Sequence, residues 1–428
     1  MIGVVVSSHQ NEGNNFRNNW WDWEIEKGYE KSGIACNSWI EYKRDIDAIV
    51  KLGCDSYRMS LEWSRIFLDE TKIDNNALQH YKKMIMYCRE VGIEPIITLH
   101  YFTRPRWFDK KYGGLHNNEI IGLFQKYVEV VIKEMVGLVK YWITFNEPMI
   151  ECVNGYLKGT RPPGLTQDFE SMYSAIINIL ECHCVAYDTI KKYDPNTQIG
   201  LAKNLVDYEL QYYYDKIKKN IENQIIHNYS WCILDALYKG ELNFGISLIG
   251  FGINKSMKNE NWKNKMDFLG ISHHNVGYVE ILYSSFDNID VKLAKDDKYM
   301  KNGLGWDVKP DSIINVVKLV IERYGNLDIM ITESGSCGVD KNDNESLDYV
   351  IDTHMKSILE WNESNSTGKI IGYMWGTLID CIKWEYGKLP KFGLYYLRKG
   401  ELRLKSSGKK FMGMISSKKI SNSSSNNV

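Results

Sequence analysis

Short apolar or β-branched runs alternate along the chain with longer stretches whose apolar positions recur every three or four residues. The first kind suits strands buried on both faces; the second suits helices packed on one side. Strands are predicted at Ile2–Ser7, Ser56–Ser60, Pro95–Leu99, Tyr141–Phe145, Gln198–Lys203, Phe268–His273, Asp328–Thr332 and Ile370–Met374. Helices predicted between them include Trp39–Leu52, Ala77–Val91, Ile120–Val139 and Met172–Tyr193. Eight such strands, each followed by helical sequence, predict an α/β fold of one (β/α)8 TIM barrel rather than an open sheet. No tandem repeat or Pro- or Ser-rich linker interrupts the pattern, so residues 1–415 are expected to form a single catalytic barrel. Residues 416–428, SSKKISNSSSNNV, are polar and aperiodic and are expected to be a disordered tail. The polar stretches Tyr208–Asn223 and Asp287–Gly303 follow the fifth and sixth strands and are expected on loops at the C-terminal rim.

Composition narrows the function. Of 428 residues, 44% are hydrophobic, enough for one large core. The 53 Lys and Arg nearly balance 54 Asp and Glu, so no basic excess points to nucleic acid and no like-charge run to a membrane surface. The 13 Trp and 28 Tyr fit either a large core or rings that stack on sugars, and the count does not separate the two. Nine Cys without framework spacing fit reduced thiols, and a cytoplasmic location is expected. MIGVVV has neither the length nor the basic start of a secretory leader. Cys182-His183-Cys184 lies in a helical stretch where neighbours point apart, which favours packing over a metal site. Oligomeric state is not legible.

Two glutamates carry the chemistry. Glu147 closes the apolar run at the fourth strand, in YWITFNEPMIE, and Glu333 closes the run at the seventh, in LDIMITESG. Strand ends at the C-terminal face are where such barrels do chemistry, and two facing carboxylates hydrolyse glycosides. Asn146, beside Glu147, offers an amide to a sugar hydroxyl.

These residues sit in a longer series: SSHQNEG (Ser7–Gly13), YRMSLEWSRI (Tyr57–Ile66), TLHYFTRPRWF (Thr98–Phe108), TFNEP (Thr144–Pro148), GYLKGTRPPG (Gly155–Gly164), DFLGISHH (Asp267–His274) and ITESG (Ile331–Gly335). In order and spacing the series resembles glycoside hydrolase family 1, the β-glucosidase and β-galactosidase family, from Ser8 to Tyr396. The resemblance implies a retaining mechanism with Glu147 as general acid/base and Glu333 as nucleophile, acting on a small-molecule glycoside without cofactor. It implies sugar contacts from Gln10, Asn146 and Trp384, and Tyr101, His100, His274, Lys383 and Trp375 are further substrate-binding candidates. Arg58, ending the second strand, is expected to steady the ionised nucleophile. His100 and His274 lack a third ligand at metal spacing, and no metal is expected.

The chain departs from the family around the expected sugar pocket. Tyr101, next to His100, stands where the family has a sugar-binding histidine, and His274 stands where it has a tyrosine. Near the eighth strand GTLIDCIKW (Gly376–Trp384) aligns with the family's WSLLDNFEW, so a tryptophan becomes Gly376, with Trp375 next door, and the sugar-gripping glutamate becomes Lys383. An ammonium donates and attracts anions where a carboxylate accepts. One reading is a modified glycone that is anionic, such as a 6-phospho sugar or a uronic acid; the other turns Lys383 outward or pairs it with Glu385 or Asp380. A transglycosylase and a catalytically weak sugar-binding relative remain alternatives to the hydrolase.

Overall fold

The computed structural model describes residues 1–209, 216–248, 251–279, 298–365 and 367–425. Eight parallel strands close into a barrel: β1 (Ile2–Val6), β2 (Ser56–Ser60), β3 (Glu94–His100), β4 (Tyr141–Asn146), β5 (Gln198–Asn204), β6 (Phe268–His273), β7 (Ile329–Ser334) and β8 (Ile370–Gly376). Each pairs with its sequence neighbours, and β1 closes the ring against β8. All eight lie where the apolar runs predicted them, because a strand buried on both faces needs an unbroken apolar run. The fourth, seventh and eighth run on by one or two residues, which draws Asn146, Glu333 and Gly376 into the sheet.

Strand alternation sorts side chains into two layers. Val5, Ile96, Ile143, Ala202, Phe268, Met330 and Met374 fill the barrel interior as one apolar cluster. Their neighbours Val4, Tyr57, Ile97, Trp142, Leu201, Leu269, Ile331 and Trp375 face outward into the larger core shared with the helices. Those helices include Ser38–Lys51, Asn75–Glu90, Glu119–Met135, Phe169–Tyr193 and Ser312–Tyr324. Two starts are set by caps: Asp74 accepts from the N–H groups of Asn76 and Ala77, and Asp168 accepts from that of Ser171.

An antiparallel hairpin, Glu241–Leu248 with Phe251–Lys258, is inserted between β5 and β6 and was not predicted. The last helix, Ser406–Ser425, runs through residue 416, where a tail was expected to begin. In the two polar stretches, residues 210–215 and 287–297 lie outside the described residues. His183 packs as expected, its ring held between the Thr144 hydroxyl and the Lys265 carbonyl, each 2.7 Å away. No disulfide joins any of the nine Cys, all of which are described.

Gly200 lies inside the barrel with Phe268 against it. A Cβ there would stand 2.5 Å from the Phe268 carbonyl oxygen and 2.7 Å from its ring. Gly200→Ala is expected to destabilise the barrel by about 1–3 kcal/mol through overpacking, read as a lowered denaturant midpoint.

Candidate active site

The strand ends place both glutamates at the C-terminal mouth. On β4 the pairing with β5 shifts register between Ile143 and Asn146, so Asn146 turns inward while Thr144 and Phe145 pack outward. Glu147 then adopts φ of 46°, a left-handed conformation costly for a residue with a Cβ. It is pinned there by its N–H, 2.7 Å from the Ala202 carbonyl, and by the helix Pro148–Cys152 that begins next to it. On β7 a second register shift, between Ile331 and Glu333, turns the Glu333 carboxylate into the mouth. Both side chains are buried.

Their surroundings differ in sign. The Tyr101 hydroxyl donates to Glu333 Oε2 at 2.5 Å, and Arg58 Nη1 lies 3.8 Å from the same oxygen. Lys383 Nζ and His274 Nε2 face Oε1 at 3.5 and 3.4 Å. Burial alone would raise this carboxyl, but Lys383, His274 and Arg58 outweigh it and hold Glu333 far below the usual carboxylate range. Burial raises Glu147 instead, and the charge of Glu333 raises it further against the pull of His274, Lys383 and Arg58. The surroundings thereby pull the proton affinities of the two carboxyls in opposite directions. Oxygens of the two, with a ring nitrogen of His274, lie within 4.8 Å of one another. That spacing could hold a cation, yet the Lys383 and Arg58 charges already on Glu333 oppose one.

Arg58 is fully buried and donates to Asn146 Oδ1 at 2.6 Å, the Thr332 carbonyl at 2.8 Å and Thr98 Oγ1 at 3.1 Å. Asn146 Nδ2 and Glu147 Oε1 have no partner among the described residues, so one donor and one carboxyl oxygen remain for a ligand. Tyr101 and His274, the exchanged pair, both reach the nucleophile: the phenol now comes from the end of β3 and the imidazole from the end of β6. Lys383 turns inward. Its alternative partners are taken, Asp380 by Lys405 at 2.7 Å and Glu385 by Arg161 at 3.1 Å. Trp384 walls the site, stacked at 6.1 Å on Tyr101.

Two expected sugar contacts, His100 and Trp375, are corrected. Gln10 uses one amide N–H and its oxygen inside the protein, donating 2.5 Å to the Ile382 carbonyl and accepting 2.8 Å from Ser7. It anchors the segment that carries Lys383. His100 pairs with Glu151 at 2.8 Å, because Glu151 and Arg104 form a buried ion cluster behind the rim. Trp375 falls on the outer face of β8 by alternation, where it packs 5.8 Å from Phe411 and donates to the Phe392 carbonyl.

Other wall residues were not singled out. His9 stacks on Trp384 at 5.6 Å, Trp20 packs on it at 4.7 Å, and the Arg161 guanidinium lies 4.9 Å over Phe102. Phe392 lies 4.6 Å beneath the Lys383 ammonium. His9 and Arg161 sit within quoted motifs, but nothing in their spacing signals a ring stack between distant segments.

Fully buried Arg104 also holds both oxygens of Asp109, at 2.8 and 2.9 Å. Arg104→Met would strand two carboxylates, and unfolding free energy is expected to fall by about 3–5 kcal/mol in urea titrations.

Comparison with known proteins agrees with the barrel fold. The profile described as glycosyl hydrolase family 1 matches residues 11–420. A 1,4-β-D-glucan glucohydrolase of Thermotoga neapolitana is 26% identical, over 92% of this chain and 96% of that protein. β-Glucosidase A of Thermotoga maritima is 26% identical, over 92% and 91% respectively. Among solved structures, a β-glycosidase from Pyrococcus horikoshii superposes with a TM-score of 0.85 at 30% identity, covering 96% of this chain and 93% of its own. A family 1 β-glucosidase from Exiguobacterium antarcticum gives 0.85 at 26% identity, covering 98% of each chain.

Proposed function

The chain belongs to glycosyl hydrolase family 1, and from that membership we propose that it is a retaining β-glycosidase that removes the non-reducing-end sugar of small glycosides. The observation that carries this reading is the pair of buried carboxyls, with oxygens within 4.8 Å and opposite proton affinities. Retaining enzymes set two carboxyls about 5–5.5 Å apart, whereas inverting ones need about 6.5–9.5 Å to admit a water.

Glu333 attacks the anomeric carbon as Glu147 gives its proton to the departing glycosidic oxygen. The carbon–oxygen bond to the leaving group breaks and an ester bond to Glu333 forms. With Glu333 esterified, the charge that helped raise Glu147 is gone, so Glu147 becomes the base that deprotonates an incoming water. Water attacks the same carbon, the ester bond breaks, and both carboxyls return to their starting states. Arg58 orients Glu333, and Asn146 Nδ2 donates to a sugar hydroxyl beside the reacting carbon. The β-glucosidase names of the relatives support a β-linked glycone. Nine Cys without a disulfide support the reducing cytoplasm as its location. Among the described residues no helix is long and apolar enough to cross a membrane.

Glu333→Gly should lose hydrolysis of an aryl β-glycoside and regain release of the aryl group with azide, yielding a glycosyl azide of inverted configuration; undiminished hydrolysis in the variant, or no azide product, would sink the nucleophile assignment. Glu147→Gln should lower kcat about 10²–10⁴-fold for substrates with poor leaving groups, and far less for those that need no protonation. The dependence of kcat/KM on pH should be bell-shaped. Ionised Glu333 is the active form and its affinity for the proton is depressed, so the acid limb should fall below the ordinary carboxylate range. Neutral Glu147 is the active form and its affinity is raised, so the alkaline limb should lie above that range, and Glu147→Gln should remove this limb alone.

A further inference from the structure

Lys203 is fully buried, and the mechanism above gives it no part. It stands on β5 one residue after Ala202, whose carbonyl accepts from the Glu147 N–H at 2.7 Å. One hydrogen bond therefore joins the backbones from which the two side chains leave. The Lys203 ammonium donates to the Asn204 carbonyl at 2.7 Å, so its side chain runs along β5 towards the mouth of the barrel. The Tyr229 ring lies 5.0 Å from the same ammonium, and the Tyr229 hydroxyl donates to Asn204 Oδ1 at 2.9 Å. Among the described residues Lys203 forms no ion pair.

An ammonium buried without a counter-ion is costly, and burial lowers its affinity for the proton to about 8. Three groups pull that affinity back up: Cys232, Glu147 and Cys152. Burial pushes both thiols up, Cys152 well above the usual range and Cys232 to about 12, so neither carries charge near neutrality. Burial raises the Tyr229 phenol well above its usual range too, with Tyr208 and Glu147 adding to it. Other acids on the helices packed here are engaged elsewhere. Glu151 pairs with His100 and Arg104, and Asp235 pairs with Arg323 and Lys239. Among the described residues facing Lys203, Glu147 is thus the one that can supply a negative charge.

We propose that Lys203 is a positioning residue for Glu147: unpaired while Glu147 holds its proton, it takes ionised Glu147 as its counter-charge once the glycosyl ester has formed. This rests on the retaining reading and deepens it. As the ester forms, the proton of Glu147 leaves with the departing oxygen and the charge of Glu333 passes into the new bond. One negative charge thereby crosses the mouth from Glu333 to Glu147. Lys383, His274 and Arg58 face Glu333 and act on Glu147 from that side. Lys203 acts from the β5 side. Without its ammonium the ionised form of Glu147 is less favoured, so Glu147 binds its proton more tightly and is the weaker acid. The coupling is reciprocal, so ionised Glu147 must also raise the proton affinity of Lys203.

The test compares the full chain with Lys203→Met. The alkaline limb of kcat/KM should move to higher pH, since it reports the proton of Glu147 in the free protein. The acid limb of kcat for a 2,4-dinitrophenyl β-glycoside, whose turnover is set by hydrolysis of the ester, should move the same way. At neutral pH kcat/KM for an alkyl β-glycoside should fall roughly threefold, while the 2,4-dinitrophenyl substrate, which needs no protonation, should hold its value. The Tm should equal or exceed that of the parent, because an unpaired buried charge has been removed. Limbs that stay in place overturn the proposal, and a lower Tm beside unmoved limbs would make Lys203 structural only. A second measurement does not depend on that variant folding. In 15N-lysine-labelled protein the Lys203 signal, recognised by its midpoint near 8, should titrate at lower pH in Glu147→Gln than in the parent; an unmoved midpoint also overturns the proposal. Failure of the retaining reading shows separately, as absent azide rescue of Glu333→Gly.

Discussion

A guanidinium with no exposed surface must find every acceptor it needs inside the protein, and Arg58 finds them on three other strands at the barrel mouth. From β2 it reaches Thr98 on β3, Asn146 on β4 and the Thr332 carbonyl on β7, with the Glu333 carboxylate close behind. Removing any one acceptor would leave a buried charge poorly paired. The same contacts aim Asn146 and fix the strand end that presents Glu333. Barrel closure and site geometry are thus one requirement, met at one side chain.

The division of labour between the two carboxyls follows from that arrangement. Glu333 is surrounded by Arg58, Lys383, His274 and the Tyr101 hydroxyl, and stays ionised although buried. Glu147 stands across from it with an unpartnered oxygen, and burial raises its affinity for the proton. Two like residues a few ångströms apart are shifted in opposite directions because the cations cluster on one of them. The departures at Tyr101 and His274 leave this intact, since here the phenol and the imidazole both meet the nucleophile.

Much of the framework was legible because burial on both faces writes itself into sequence as apolar runs. All eight barrel strands lie where those runs put them, and both glutamates stand at the ends of the strands expected to carry them. The hairpin Glu241–Leu248 with Phe251–Lys258 lies outside the barrel, and its first strand, ELNFGISL, alternates apolar with polar residues instead of running apolar throughout, so a search for apolar runs passed over it. The wall of the site was read less well. His100 and Trp375 were expected against a sugar, and each is instead held by a partner distant in sequence: Glu151 and Phe411. A motif names a residue type at a rim; it does not say which neighbour reaches that residue first.

Lys383 shows the boundary most sharply. The sequence by itself determined that a cation occupies this position, that two glutamates end the fourth and seventh strands, and that the strands close a barrel. Periodicity and spacing along the chain are enough for each of these. Whether Lys383 faces water, Glu385, Asp380 or the nucleophile was decided only in three dimensions, where Arg161 and Lys405 claim the two nearby carboxylates and leave Glu333 to it. The physical reason is that ion pairing inside a protein is a competition among charges brought together by the fold, and the order of residues along the chain does not record who else has arrived.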